Sequence, residues 1–268
     1  MNGDIKMDYR IIKYPRTQHL EGSRLGEGDE DLSQVPFSEI LGRPIVIEEK
    51  IDGANSAISF DGDGNLLLQS RGHYLNGGYR ERHYNLLKQW ANENCDRFFD
   101  VLGCRYIMYG EWMYAKHTVF YDALPDYFME FDIYDREREV FLSTPERRKM
   151  TDQIGIISSV PVIGEGIFRT KKSVLDLIGH SLYITDRHMD ALREAAEKQG
   201  LDVERQLRET DPSTTMEGLY IKVEEEGIVT QRLKYVRATF LQRLMASQSH
   251  WQSRPIVPNL LANGGEER

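Results

Sequence analysis

The chain has 268 residues, 40% hydrophobic and 29% charged, a balance typical of folded domains rather than of disordered or membrane-embedded chains. Its net charge of −9 argues against a general nucleic-acid coat, which is usually basic, but permits a cleft lined by a few local cations. No apolar run approaches the roughly 18 residues of a membrane span, and Asp4, Lys6, Asp8, Arg10 and Lys13 leave no apolar core for a secretory leader.

Residues 14–38 are rich in Gly, Asp, Glu and Pro with little periodicity, and read as a long ordered loop. With the residues around it this makes an N-terminal arm, 1–44, packed on a core. The apolar, β-branched run at 44–49 is a strand. Residues 54–60 and 66–70 are strands flanking Asp61-Gly62-Asp63-Gly64, a hairpin turn. Leu86, Leu87 and Trp90 give 84–94 helical spacing. Cys95 and Cys104 form no CxxC pair and have no histidine cluster of zinc spacing, which suits reduced thiols in a cytoplasmic protein. Segments 105–114 and 127–134 are buried strands. Thr144-Pro145-Glu146 opens a helix, and two more follow near 171–178 and 186–199. Residues 216–224 and 228–236 form a second hairpin turning at Glu226-Gly227, and 238–247 is a last amphipathic helix. Mixed, strand-rich order with interspersed helices predicts an α+β fold built on antiparallel sheets.

Common nucleotide and metal motifs are missing. There is no GxxxxGK(S/T) loop, no GxGxxG after a strand and no HExxH. Asp61, Asp63 and Asn65 begin like a calcium loop, but Leu66 and Gly72 stand where that motif needs Gly and Glu.

Six other blocks stand out in order: Lys50-Ile51-Asp52-Gly53, Ser70-Arg71-Gly72, Gly110-Glu111-Trp112, Phe131-Asp132, Glu217-Gly218 running to Lys222, and Arg232-Leu233-Lys234. Each puts a charged or aromatic residue at the end of, or within, a strand of buried type. Charges there need partners, because burying one unpaired is costly.

In order and spacing the blocks resemble the covalent nucleotidyltransferase superfamily of ATP-dependent ligases and mRNA capping enzymes, and within it the RNA ligases. Lys50-x-Asp52-Gly53 matches the first motif, Asn55 a feature typical of the RNA-ligase branch, and Phe131-Asp132 the adenine-stacking motif. The resemblance runs from about 45 to 237. It implies an adenylyltransferase domain of antiparallel sheets flanked by helices, with a helical insert at about 143–215. A C-terminal helix and tail would fill 238–268, where 31 residues after Arg237 are too few for the OB-fold domain of DNA ligases and capping enzymes.

The resemblance also implies roles. Lys50 would attack the α-phosphorus of ATP. Its amine must then be unprotonated, and Arg232, Lys234 and a bound Mg2+ (or Mn2+) are the cations expected to lower its pKa and to hold the triphosphate. Glu217 would orient the metal, and Asn55 would hold one of its waters. Glu111 would accept hydrogen bonds from the ribose, Arg71 would grip phosphate as a fork, and Phe131 would stack on the base. The strand end at Glu49 would read the base edge, and Lys222 would contact the nucleotide. Many relatives carry Lys where this chain has Arg232, which keeps the charge but not the ability to shed a proton. Expected partners are RNA 5′-phosphate and 3′-hydroxyl ends, with a kinase or phosphatase that prepares them, and no membrane. Two alternatives stand beside this reading: a capping-type or DNA-end nucleotidyltransferase, and a non-catalytic RNA-binding module on the same fold.

Overall fold

A computed structural model of the chain describes residues 10–25, 32–240 and 255–263. In chain order the strands are β1 (Gln18–Leu20), β2 (Gln34–Val35), β3 (Pro44–Lys50), β4 (Ala54–Phe60), β5 (Leu66–Ser70), β6 (Tyr106–Trp112), β7 (Phe128–Asp135), β8 (Val140–Phe141), β9 (Ser158–Ser159), β10 (Val162–Ile167), β11 (Gly218–Glu225) and β12 (Ile228–Val236). The helices are α1 (Asn85–Glu93), α2 (Cys95–Leu102), α3 (Thr144–Ile154), α4 (Lys171–Leu175), α5 (His188–Lys198) and α6 (Val203–Arg208). One sheet runs β10-β3-β11-β12-β1-β2, the other β5-β4-β6-β7-β8 with β9 beside β7. The link from β3 to β4, Ile51-Asp52-Gly53, carries the chain from the first sheet to the second. Among the described residues no helix is long and apolar enough to cross a membrane.

Local chemistry explains the strands that place the site. β3 lies between β10 and β11 and is covered on both faces, Ile45 and Ile47 by the apolar cluster and Glu48 by Arg147 and Lys222, so residues 45–49 are all buried instead of alternating. At the β4–β5 turn Asp61 Oδ1 accepts the amides of Asp63 and Asn65 at 3.0 and 2.9 Å, and Gly64 takes a φ of 80°. That carboxylate closes its own turn. The β11–β12 turn puts Glu226 and Gly227 at φ 51° and 81°, the double left-handed geometry of a tight hairpin.

Apolar packing covers one face of each sheet, and aromatic and charged side chains meet between them. β4 and β6 pack on α1 and α2 through Phe60, Leu87, Phe98 and Met108, all fully buried. The first sheet packs Ile47, Leu219 and Ile221 against Val174 of α4. Between the sheets, Tyr14 from the N-terminal arm joins Tyr109, Phe131 and Tyr220.

The structure corrects several expectations and adds to others. The N-terminal loop contains β1 and β2, which pair in parallel onto β12 and onto each other. α2 follows α1 directly. The segment 143–215, expected to be helical, carries α3–α6 but also sends β10 to pair with β3 and β9 to pair with β7. Pro161, Gly164 and Gly166 interrupt the alternation that would have marked β10. At the start of α3, Ser143 is the cap residue. The Thr144 amide donates to Glu224 Oε2 at 2.9 Å, so a carboxylate from β11 satisfies this helix end. The helix expected over 238–247 is helical at 238–240; its remaining residues, with 1–9 and 26–31 of the arm, lie outside the described ones.

Candidate active site

A cleft of about 580 Å³ opens between the two sheets. The first sheet contributes Glu49, Lys50, Tyr220 and Lys234 to its wall, and the second contributes Asn55, Ser70, Glu111 and Phe131. Arg71 and His73 follow β5 at the wall, and Tyr14 enters from the N-terminal arm.

Lys50, the last residue of β3, pairs with Gly218 on β11, which brings it beside Glu217. Its Nζ lies 2.7 Å from Glu217 Oε1 and donates to Oε2 at 2.8 Å. Burial alone would favour the neutral amine. The Glu217 carboxylate outweighs it, Glu111 and Asp52 add to the effect, and the pKa stands above the ordinary lysine value. This corrects the expectation of a lysine depressed by neighbouring cations. Arg232, one of those cations, is bound elsewhere.

The carboxylates around Lys50 outnumber it. Burial pushes Glu111 up to about 8, with Lys50 opposing and Asp52 reinforcing. Burial also pushes Glu217 up to about 7, against the pull of Lys50 and Lys234. Asp52 goes the other way. Burial would raise it, but His117, Lys50 and the Thr118 amide, which donates to Oδ2 at 2.8 Å, hold it below its usual range. Gly53 fits because nothing larger could. A Cβ there would lie 2.7 Å from Met113 Sδ and 2.8 Å from the Trp112 carbonyl, and its amide donates to Glu111 Oε1 at 3.1 Å.

Glu49 is held by the 143–215 segment, accepting from Ser181 Oγ at 2.5 Å and from the Leu182 amide at 3.1 Å. Phe131 meets Tyr14 edge to face, ring centroids 5.1 Å apart. Arg71 is exposed at the cleft wall. Asn55 lines the cleft, and its buried Oδ1 has no hydrogen-bond partner. Among the described residues no group of three or more His, Cys, Asp or Glu could hold a metal ion on its own. A donor set of Glu217 and an unpartnered amide oxygen fits Mg2+ or Mn2+ that keeps waters and takes its other ligands from phosphate.

Lys222 and Arg232, expected on the nucleotide, stand behind the wall. Lys222 is fully buried, 2.9 Å from Glu48 Oε2 and 3.2 Å from Asp132 Oδ1, and donates to the Phe131 carbonyl. Arg232 Nε donates to Asp132 Oδ2 at 3.0 Å, with its guanidinium 3.8 Å from the Phe141 ring centroid. Arg147 of α3 extends the chain of charges, bonding Glu48 and, at 2.8 Å, Glu130. Tyr14 donates to Asp132 Oδ2 and meets the Tyr220 hydroxyl at 2.7 Å, while Thr17 reaches that hydroxyl at 2.8 Å.

Sequence reasoning missed these partners, since Tyr14, Thr17 and Arg147 lie far along the chain from what they bind. It also missed the support of Asp52. The Asp52 amide donates to the Tyr121 hydroxyl at 2.9 Å, and Asn259, fully buried, donates to the Met113 carbonyl and accepts the Tyr121 amide. Ser23 of the arm bonds His19 and accepts the Val236 amide.

A model of the RNA ligase family matches residues 43–236. The chain belongs to the RNA ligase family. This ligase-family chain is similar in fold to a Naegleria gruberi RNA ligase mutant with AMP and Mn, at a TM-score of 0.52 and 17% identity over 86% of this chain and 63% of that one. A second mutant of that ligase, with ATP and Mn, gives a TM-score of 0.50 at 16% identity over 87% and 64%. An archaeal ATP-dependent RNA ligase gives 0.50 at 17% identity over 86% and 49%. The chain thus spans less than two-thirds of the length of these structures. No curated protein matches it.

Proposed function

We propose that the protein is an ATP-dependent RNA ligase that works through Lys50. The observation that carries this is a half-buried lysine at a strand end, paired with a buried carboxylate, in a cleft that also holds Phe131, Glu111 and Lys234. Lys50 Nζ attacks the α-phosphorus of ATP. A phosphorus–nitrogen bond forms, the bond to the bridging oxygen of the β-phosphate breaks, and pyrophosphate leaves. AMP passes from Lys50 to an RNA 5′-phosphate, and a 3′-hydroxyl displaces it to seal the strand. Enzymes that prepare the ends would act before it.

Lys50 must first lose a proton. Glu217 does most to hold it as an ammonium, so withdrawing Glu217 from Nζ leaves burial, which favours the neutral amine, against only the smaller pull of Glu111 and Asp52. Glu217 and Asn55 Oδ1 are the groups that would hold a divalent ion, which when bound supplies positive charge against the triphosphate. Lys234 serves the same charge from β12. Phe131 offers a face for the base, Glu111 accepts from the ribose, and Glu49 stands at the base edge. Arg71 grips the phosphate of the incoming end. Lys222 and Arg232 act from behind the wall by holding Asp132 and the Phe131 backbone. The free thiols of Cys95 and Cys104 suit a cytoplasmic setting.

The test is incubation with ATP labelled at the α-phosphate, followed by a denaturing gel. Label should stay on the protein through an acid-labile, alkali-stable bond, and Lys50→Ala should take none. Label on the Ala variant at the parent level would refute the assignment. Equal labelling by GTP would favour a capping-type enzyme.

A further inference from the structure

The segment between β5 and α1, residues 71–84, differs from the chain around it. It holds three arginines (Arg71, Arg80, Arg82) and three tyrosines (Tyr74, Tyr79, Tyr84) against one acidic residue, Glu81, in a protein of net charge −9. Basic and aromatic residues interleaved in this way are what single-stranded nucleic acid needs, cations for the backbone and flat faces for the bases.

Both ends of the segment sit on the cleft, where Arg71, His73 and Tyr84 line the wall. Its middle doubles back at Gly77 and Gly78, whose φ values of 113° and 109° require glycine. Glu81 closes the loop. Its Oε2 accepts the Gly77 amide at 2.7 Å and pairs with Lys88 of α1, while its carboxylate is held below its usual range by Lys88 and Gly77 against burial. The one acidic residue is therefore occupied in fixing the loop. Tyr79 projects from it, 79% exposed, with the Arg82 guanidinium 4.5 Å from its ring centroid. The cation backs one face of the ring and leaves the other to solvent. A tyrosine buries nothing for the fold at that exposure, and the backing cation strengthens it as a stacking surface.

We propose that Tyr79, backed by Arg82, is a subsite for an unpaired base of the strand whose 5′-phosphate enters the cleft at Arg71. The inference rests on the ligase reading only in taking a strand end as the substrate. A ribonucleotide and a deoxyribonucleotide present the same base face, so the subsite is defined by stacking and the test separates the two sources.

The experiment measures fluorescence anisotropy of the full chain with a short 5′-phosphorylated single strand, as RNA and as DNA of the same sequence. Tyr79→Ala should weaken binding about tenfold, the loss expected for one stacked base, and Tyr79→Phe should stay within about twofold. The thermal midpoint should not move, given the exposure of the side chain. Loss on the RNA alone assigns the subsite to an RNA strand; loss on both assigns it to the base whatever the sugar. Parent-like binding of both strands by Tyr79→Ala overturns the proposal. So does equal loss in Tyr79→Phe, or a parent that binds neither strand. Label uptake from ATP needs no strand and judges the ligase reading separately. Label retained with Tyr79-independent binding sinks only the subsite. No label, with binding weakened in Tyr79→Ala, sinks only the ligase.

Discussion

Two clusters of buried charge share the interface between the sheets, and β3 contributes to both through Glu48 and Lys50, two residues apart on one face. In the first, Glu130, Arg147, Glu48, Lys222, Asp132 and Arg232 alternate in sign, three carboxylates against three cations, each touching an opposite charge. In the second, Lys50 faces Glu217, Glu111 and Asp52. The difference shows in titration. Asp132 is deeply buried, yet Arg232, Lys222 and Arg147 overcome burial and hold it down at about 2. Even here burial keeps Glu48 above its ordinary value. Glu111, half-buried, and Glu217, buried, are short of cations and rise to about 8 and about 7. Matched charge ties the sheets together. The unmatched cluster can accept positive charge from outside, which is what a triphosphate site with a divalent ion requires.

The sharpest way to break this comparison is to remove one cation from each side. Arg147→Ala leaves Glu48 and Glu130 buried and unpaired, and should cost roughly 3–5 kcal/mol of stability. The thermal midpoint should fall by about 10 °C, with labelling from ATP retained below it. Lys50→Ala should abolish labelling with a far smaller shift in midpoint, because Lys50 is partly exposed and the carboxyls it leaves, Glu217 and Glu111, are raised to about 7 and about 8 and can take up a proton in its place. If Lys50→Ala destabilises as much as Arg147→Ala, the two clusters do the same job and the distinction fails.

Only one of the clusters was legible in the sequence. Lys50, Glu111, Glu217 and Lys234 sit in blocks whose order and spacing resemble a known family, and their strands follow from alternation and turn chemistry. The balancing network is spread over β3, β7, α3, β11 and β12. Nothing local ties Arg147 to Glu48, and only the sheet registers that pair β3 with β11 and β11 with β12 bring those charges into reach. For the same reason Lys222 and Arg232 read as nucleotide contacts. A strand pattern places them on a face but not behind a wall. β10 and β1 were missed because glycines and short length erase the period-two signal, and pairing with β3 and β12 supplies what their own sequence does not.

Titration gives the next test. The Glu111 carboxyl is raised by folding, so its protonation stabilises the protein. That contribution is complete below the ordinary value near 4.5 and is lost as pH rises through about 8. Glu111→Gln removes the titration. Parent and variant should show similar stability near pH 4.5, and the variant should be ahead by a few kcal/mol above pH 8. Denaturant melts across that range would measure it, and a constant difference at all pH values would contradict the assignment. Asp132 has the opposite sign: its contribution is present above about 3.8 and is lost as pH falls toward 2.

A smaller effect tests how Lys50 is held. Glu217→Gln keeps the shape and removes the charge, so burial should dominate and the lysine should titrate lower. The pH dependence of acylation at Lys50, followed by mass spectrometry, would report this. A pKa that stays put would mean that Glu217 does not hold the proton. Labelling from ATP should fall in the same variant, so that a more reactive amine accompanies a less active protein.

Arg232→Lys should give the smallest effect, and it asks on which side of the wall that residue acts. Relatives carry Lys at the matching position, as the resemblance implies, so a role limited to positive charge should survive the change. In this chain, however, the side chain has two attachments, a hydrogen bond to Asp132 and a guanidinium laid over Phe141. Lysine can keep the first as a point charge, but it has no flat face for the second. The loss should be about 1 kcal/mol of stability, the scale of a partly desolvated cation–π contact. Labelling should stay within a few-fold of the parent at low temperature. The comparison with Lys234→Arg makes the result decisive. Lys234 lines the cleft and acts on Glu217, so its change should alter labelling while leaving the midpoint alone. A larger labelling defect in Arg232→Lys than in Lys234→Arg would move Arg232 from the network into the cleft.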